Sequence, residues 1–318
     1  MKEHAFLFGD GGGLVGVLTD PPGLVPSRGA GGPLGAILLN AGVIHRVGPS
    51  RLYVHLARDL ATLGCVAARF DHSGIGDSPV RRDGASFEES SLVEAREAMD
   101  ALQESRGVER FILIGLCSGA VTAFDTAGVD DRVVGVVLIN PQGFDQSPEW
   151  NSYIVNRGDA RRYWTRSLFS ATSWWNAITG RVDYKRLVGV LWRQASGPGS
   201  ARSVVSSVVT RVGADLEKLM RREVRTLLVC SEGDDGIEYM NVILQKDVRT
   251  LPPAAELTVE ILPGADHSLT LLDSQRRVVD VVRAWAGWFE SGGSRRAPAL
   301  VEDDAESSDV EDTVSVSI

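Results

Sequence analysis

Cysteine and histidine are both scarce in this chain, at three and five residues of 318. Cys65, Cys117 and Cys230 are too few and too scattered for a disulfide framework. A surplus of basic residues is also missing. Forty-two acidic residues against thirty-three Lys and Arg give a formal charge of −9, so there is no basic face of the kind nucleic acid requires. The acidity is local. Glu302, Asp303, Asp304, Glu306, Asp309, Glu311 and Asp312 supply seven of those nine charges within 301–318, and the rest of the chain carries only about −2. No apolar stretch reaches the ~18 residues of a membrane-spanning helix, and Met1–Asp10 lacks an apolar signal region. These absences lead us to expect a cytoplasmic protein with no membrane or nucleic-acid partner, in a reducing setting where a thiol stays free. No cofactor is implied, and no oligomeric state is fixed.

Apolar material is plentiful, at 43% of residues, and its periodicity is informative. His4–Gly9 and Leu14–Thr19 flank a run of glycines and read as a β-hairpin. Gly11, Gly13 and Gly16 match a dinucleotide-binding glycine pattern only formally, because a strand rather than a helix follows them and no acid stands about 20 residues on. From Leu34 onward strands and helices alternate. Strands are expected at Leu34–Asn40, Cys65–Phe70, Phe111–Ile114, Val133–Asn140, Val224–Cys230 and Leu257–Leu262. Helices are expected over 50–63, after the capping-box sequence Ser86-Phe87-Glu88-Glu89, over Ala120–Ala127 and over Asp273–Glu290. This alternation predicts an α/β fold with a mainly parallel, doubly wound sheet.

Residues 142–222 break the rhythm. They hold Trp150, Trp164, Trp174, Trp175 and Trp192, five of the seven tryptophans, together with Arg157, Arg161, Arg162, Arg166 and Arg193. We expect this segment to be a helical lid inserted into a core formed by 1–141 and 223–290; the alternative is a helical extension that completes the core. Residues 291–318 are polar and acidic and are expected to be disordered.

The chemistry is concentrated in three loops after strands. Gly115-Leu116-Cys117-Ser118-Gly119 joins a strand to a helix. A nucleophile at such a turn sits in strained backbone at the positive end of a helix, and glycines two places either side of it let the chain fold tightly. Those places suit Cys117; centring the motif on Ser118 would put Leu116 in a glycine position. His267, in Gly264-Ala265-Asp266-His267-Ser268, is the one histidine in a loop after a late strand, and is the candidate base. The loop Ser231-Glu232-Gly233-Asp234-Asp235 offers an acid to orient the imidazole. Asp234 is preferred, with Asp235 and then Glu232 as alternatives. A backbone N–H of Gly42 or Val43, with that of Ser118, could bind a developing oxyanion. His45 and Arg46 could meet a substrate carboxylate, or could be solvated. Arg161, Arg162 and Trp164 are candidate lid contacts for a bulky or anionic substrate.

Asn40-Ala41-Gly42, the stretch Arg69–Ser78 and Gly115-Leu116-Cys117-Ser118-Gly119-Ala120 resemble the α/β-hydrolase superfamily, in particular its serine-aminopeptidase-like and exosortase-associated hydrolases. The resemblance runs from about Leu34 to Phe289. It implies the α/β-hydrolase fold and a triad on Cys117, Asp234 and His267, in the family's order of nucleophile, acid and histidine. The departure is cysteine in place of the commoner serine, a change shared by dienelactone hydrolases and polyester synthases. The implied activity is acyl transfer from a small-molecule or carrier-bound acyl substrate through an acyl-Cys117 intermediate, as a thioesterase or esterase if water is the acceptor. The alternatives are an acyltransferase or cyclase, a lyase using His267 as base, and a ligand-binding protein with a vestigial triad.

Overall fold

Burial explains why the apolar runs become strands. Leu34–Leu39 and Val66–Asp71 are buried at every residue, as strands covered on both faces must be. The computed structural model describes residues 1–10, 13–24, 32–150, 153–154, 199–234, 236–252 and 254–290. Within them eight strands form one sheet: β1 (Lys2–Phe8), β2 (Leu14–Asp20), β3 (Leu34–Leu39), β4 (Val66–Asp71), β5 (Arg110–Leu116), β6 (Val133–Ile139), β7 (Arg225–Ser231) and β8 (Leu257–Leu262), in the spatial order 1-2-4-3-5-6-7-8. The β1–β2 hairpin and the β2–β4 pair are antiparallel; from β4 to β8 all pairs are parallel. The doubly wound sheet expected from the sequence is present, and the glycines between β1 and β2 lead into a strand, as expected.

Six helices among the described residues cover the two faces: α1 (Leu52–Thr62), α2 (Phe87–Arg106), α3 (Ser118–Val129), α4 (Gly199–Arg221), α5 (Gly236–Leu244) and α6 (Leu272–Glu290). One core joins α1 and α6 to the sheet through Leu52, Leu56, Leu60, Val278, Val282 and Trp285. The other holds α2, α3, α4 and α5. The capping box at α2 forms as expected: the Ser86 side chain accepts from the Glu89 N–H while Glu89 reaches back to the Ser86 N–H. Helix α5 was not foreseen; its apolar run is short and follows directly on a turn.

The segment expected to be a lid is described only at its ends. Phe144, Trp150, Val208, Val212 and Leu219 are buried there and belong to the second core. Trp150 packs edge-on against Tyr239 of α5, with ring centroids 5.2 Å apart. The middle of the segment, with Arg161, Arg162 and Trp164, lies outside the described residues, as does the acidic stretch 291–318.

Helices from consecutive strands go to opposite faces where the chain leaves β3 for β4 and later returns to place β5 on β3's other side. At such a switch point the loops at the carboxyl ends of the strands diverge and leave a crevice. The turns after β3 and β5 meet there, and the turns after β6, β7 and β8 stand in order beside them.

Candidate active site

Cys117 is the residue between β5 and α3, with φ 57° and ψ −121°. A non-glycine residue held at positive φ is strained backbone that its surroundings must enforce. Both flanking glycines are required by close packing. A Cβ on Gly115 would lie 2.1 Å from the Gly119 carbonyl, and one on Gly119 would lie 2.5 Å from the Leu39 and Asn40 carbonyl oxygens. The turn is also held from behind. The Cys117 N–H donates to Ile139 O at 2.9 Å. The buried Tyr53 hydroxyl accepts from the Leu116 N–H at 3.0 Å and donates to Leu39 O at 2.7 Å. The thiol is partly exposed, whereas Cys65 and Cys230 are buried, and burial pushes the Cys230 thiol up to about 12.

His267 sits in the turn after β8. Its Nδ1 is 3.0 Å from Asp234 Oδ2, and Cys117 lies close enough to act on its ionisation. The carboxylate of Asp234, then Cys117, raises the imidazole to about 10, against the opposing effect of burial. Asp234 is only 7% exposed and His267 32%, so the acid is sheltered and the imidazole open to a reactant. Asp235 lies outside the described residues. Glu232 points elsewhere, accepting from the Gly264 N–H at 3.3 Å. The other histidines have other surroundings: His4 pairs with Asp20 on the edge hairpin, His45 and His55 are exposed, and His72 is buried against Glu94 at 2.9 Å.

Two residues of this site carry no motif in the sequence. Asn140, directly after β6, is fully buried with φ 43°. Its Nδ2 donates to His267 O and to Ser231 Oγ, each at 2.9 Å, and its Oδ1 accepts from the Ser231 N–H at 2.7 Å. The Ser231 hydroxyl donates onward to Asp266 O at 3.0 Å. The ends of β6 and β7 and the histidine turn are thereby fastened together. Gln142 places Nε2 at 3.3 and 3.4 Å from the two Asp234 oxygens. Their only sequence signal was position, in the loop following a parallel strand.

On the other side of Cys117, Ala41–Ile44 forms a turn closed by the Ile44 N–H to Ala41 O at 3.0 Å. Asn40 braces it, donating to Ile44 O at 2.9 Å while accepting from the His72 N–H at the same distance. The Gly42 N–H donates to Ser118 Oγ at 2.9 Å, while the Val43 N–H has no partner among the described residues. Arg46, considered for a substrate carboxylate, is instead occupied. Its guanidinium forks between Asp71 and Asp77, because the fully buried Asp71 carboxylate needs a counter-charge. Among the described residues no three His, Cys, Asp or Glu side chains converge as metal ligands.

The sequence matches the model of the alpha/beta hydrolase family over residues 13–281. The chain belongs to that family. Solved structures of similar fold include an alpha-beta serine hydrolase homologue from Coxiella burnetii (14% identity, 89% of this chain and 97% of that one, TM-score 0.50). A putative hydrolase from Agrobacterium vitis is similar at 18% identity, 89% and 98% coverage and a TM-score of 0.51. The proline iminopeptidase of Mycobacterium smegmatis is similar at 16% identity, 92% and 100% coverage and a TM-score of 0.51. No curated protein matches the sequence. Among the described residues no helix is long and apolar enough to cross a membrane.

Proposed function

We propose that this alpha/beta hydrolase family member is an acyl-transfer hydrolase, of thioesterase or esterase type, with Cys117 as nucleophile, His267 as acid and base, and Asp234 as the group that orients His267. One observation carries the reading: a thiol in strained backbone at a helix N-terminus lies beside an imidazole that a sheltered carboxylate holds at 3.0 Å. An imidazole raised to about 10 carries its proton at neutral pH and can hand it to a leaving group, while the thiolate form of a cysteine is the nucleophile. The thiolate attacks the acyl carbonyl, the C–S bond forms, and the bond to the leaving alkoxide or thiolate breaks as His267 gives that group its proton. Acylation removes the influence of Cys117 that helps to raise His267, which makes the imidazole a better base for the second half. It takes a proton from water, the hydroxide adds to the thioester carbonyl, and the carboxylic acid leaves as the C–S bond breaks. A working thiol also favours a reducing compartment such as the cytoplasm.

Turnover of a panel of acyl thioesters and p-nitrophenyl esters tests the assignment. Cys117→Ala and His267→Ala should each lower kcat by several orders of magnitude, and the double variant should be little worse than either, because the two groups act as one unit. Additive losses, or full activity in Cys117→Ala, would contradict it.

A further inference from the structure

The turn after β3 offers two consecutive backbone amides to an oxyanion, those of Gly42 and Val43, and the structure distinguishes them. The Gly42 N–H is occupied, donating to the Ser118 hydroxyl at 2.9 Å. The Val43 N–H is unpaired among the described residues, and Val43 is 89% exposed at the tip of the turn. Ser118 is the first residue of α3, so its own N–H is among the amides that a helix leaves without an internal partner. A donor that already has a protein acceptor must give it up to serve an oxyanion, whereas the exposed Val43 N–H has only solvent to exchange.

We propose that the Ser118 hydroxyl is a positioning residue that docks the turn Ala41–Ile44 onto the nucleophile helix, and so commits the Val43 amide, with that of Ser118, to the oxyanion. This rests on the acyl-cysteine reading above. The hydroxyl spans the two halves of the hole, because one residue supplies both the tether and one of the donors. On its far side the same turn is held by Asn40 Nδ2 on Ile44 O and by Asp71 Oδ1 accepting the Arg46 N–H at 2.6 Å. Those braces fix the turn relative to β4. Only the Ser118 bond, among the described residues, ties the Gly42 amide to the residue after Cys117. A displacement of a fraction of an ångström between the two halves would lengthen one of two hydrogen bonds that matter only when charge develops on oxygen.

The test compares two reactions at the same thiol. Acylation of Cys117 by p-nitrophenyl acetate passes through a tetrahedral oxyanion, in which the C–S bond forms before the C–O bond to p-nitrophenolate breaks. Alkylation of Cys117 by iodoacetamide displaces iodide and develops no oxyanion. Ser118→Ala should slow acylation roughly 10- to 100-fold, less than the ~10²–10³ lost when a donor is deleted outright, while alkylation stays within about twofold of wild type. Ser118→Thr, which keeps the hydroxyl, should restore most of the acylation rate. Unchanged acylation in Ser118→Ala would overturn the assignment alone. So would a parallel fall in both reactions, which would make Ser118 a support of the Cys117 turn. Failure of wild-type Cys117 to acylate while it still alkylates would overturn the acyl-cysteine reading, and the oxyanion assignment with it.

Discussion

At the scale of single residues, the three cysteines differ by environment rather than by type. Cys117 is partly exposed at a helix N-terminus beside His267, while burial raises the Cys230 thiol to about 12 and Cys65 is fully buried. Native-state labelling with iodoacetamide followed by peptide mapping should therefore modify Cys117 at least ten times faster than the other two, by thiolate character and access; equal rates would remove the case for an activated thiol. Cys117→Ser substitutes a weaker nucleophile in a site shaped for sulfur, so activity should fall steeply without vanishing. A silent Cys117→Ser would instead point to His267 acting alone as a base. Much of this was legible in the sequence. The glycine spacing singled out Cys117 over Ser118, and strand order singled out His267. The choice between Asp234 and its neighbours rested on turn length; in the fold Asp234 Oδ2 stands 3.0 Å from the imidazole Nδ1. Arg46 was not legible, because its partner Asp71 lies 25 residues away across two loops, and only the fold makes that carboxylate buried.

At the scale of elements, the site is a set of strand ends held in register by buried polar side chains. Tyr53 links the ends of β3 and β5, Asn40 links β3 to β4, and Asn140 links β6, β7 and the histidine turn. Each both donates and accepts across strand ends, which is why none is an ordinary core residue. Tyr53→Phe strands the Leu116 N–H and Leu39 carbonyl in the interior, at a cost of ~1–3 kcal/mol for each group left unsatisfied. Its urea midpoint should fall accordingly, and a midpoint equal to wild type would show that water or a shifted neighbour replaces the hydroxyl. Asn140→Asp replaces a donor with a second acceptor facing the His267 carbonyl, so it should impair turnover more than Asn140→Gly, which leaves room for water. The reverse order of activities would show that the amide does not position the histidine turn. These ties join residues far apart in the chain, up to 127 positions for Asn140 and His267, and no local pattern announces them. The strands themselves were legible because burial on both faces writes continuous apolar runs.

At the scale of the whole molecule, the ionisation of the site is coupled to folding. His267 is raised from 6.5 to about 10 in the folded protein. A group whose folded value lies above its unfolded one stabilises the fold fully below the unfolded value, and that contribution disappears as pH rises toward the folded one. The stability gap between wild type and His267→Gln should therefore be widest near pH 6 and close by pH 10 to 11 in urea titrations; a gap that widens with pH would give the linkage the wrong sign. The ends of the expected lid contribute to the same whole. Trp150 is fully buried against Tyr239, so Trp150→Ala should cost ~3–5 kcal/mol, the usual range for deleting a buried large aromatic, whatever the middle of that segment does. An unchanged thermal midpoint would show that this end of the segment is not part of the core.

The central claim is that the acyl group passes through a covalent bond to Cys117. Rapid-quench intact-mass spectrometry with peptide mapping, during turnover of an acyl thioester, measures that directly. The account predicts one acyl unit per chain on the Cys117 peptide, formed faster than turnover, accumulating in Asp234→Asn where deacylation is slowed, and absent in Cys117→Ala. Turnover at the wild-type rate with no adduct at any quench time, or with the adduct on Ser118, would contradict it.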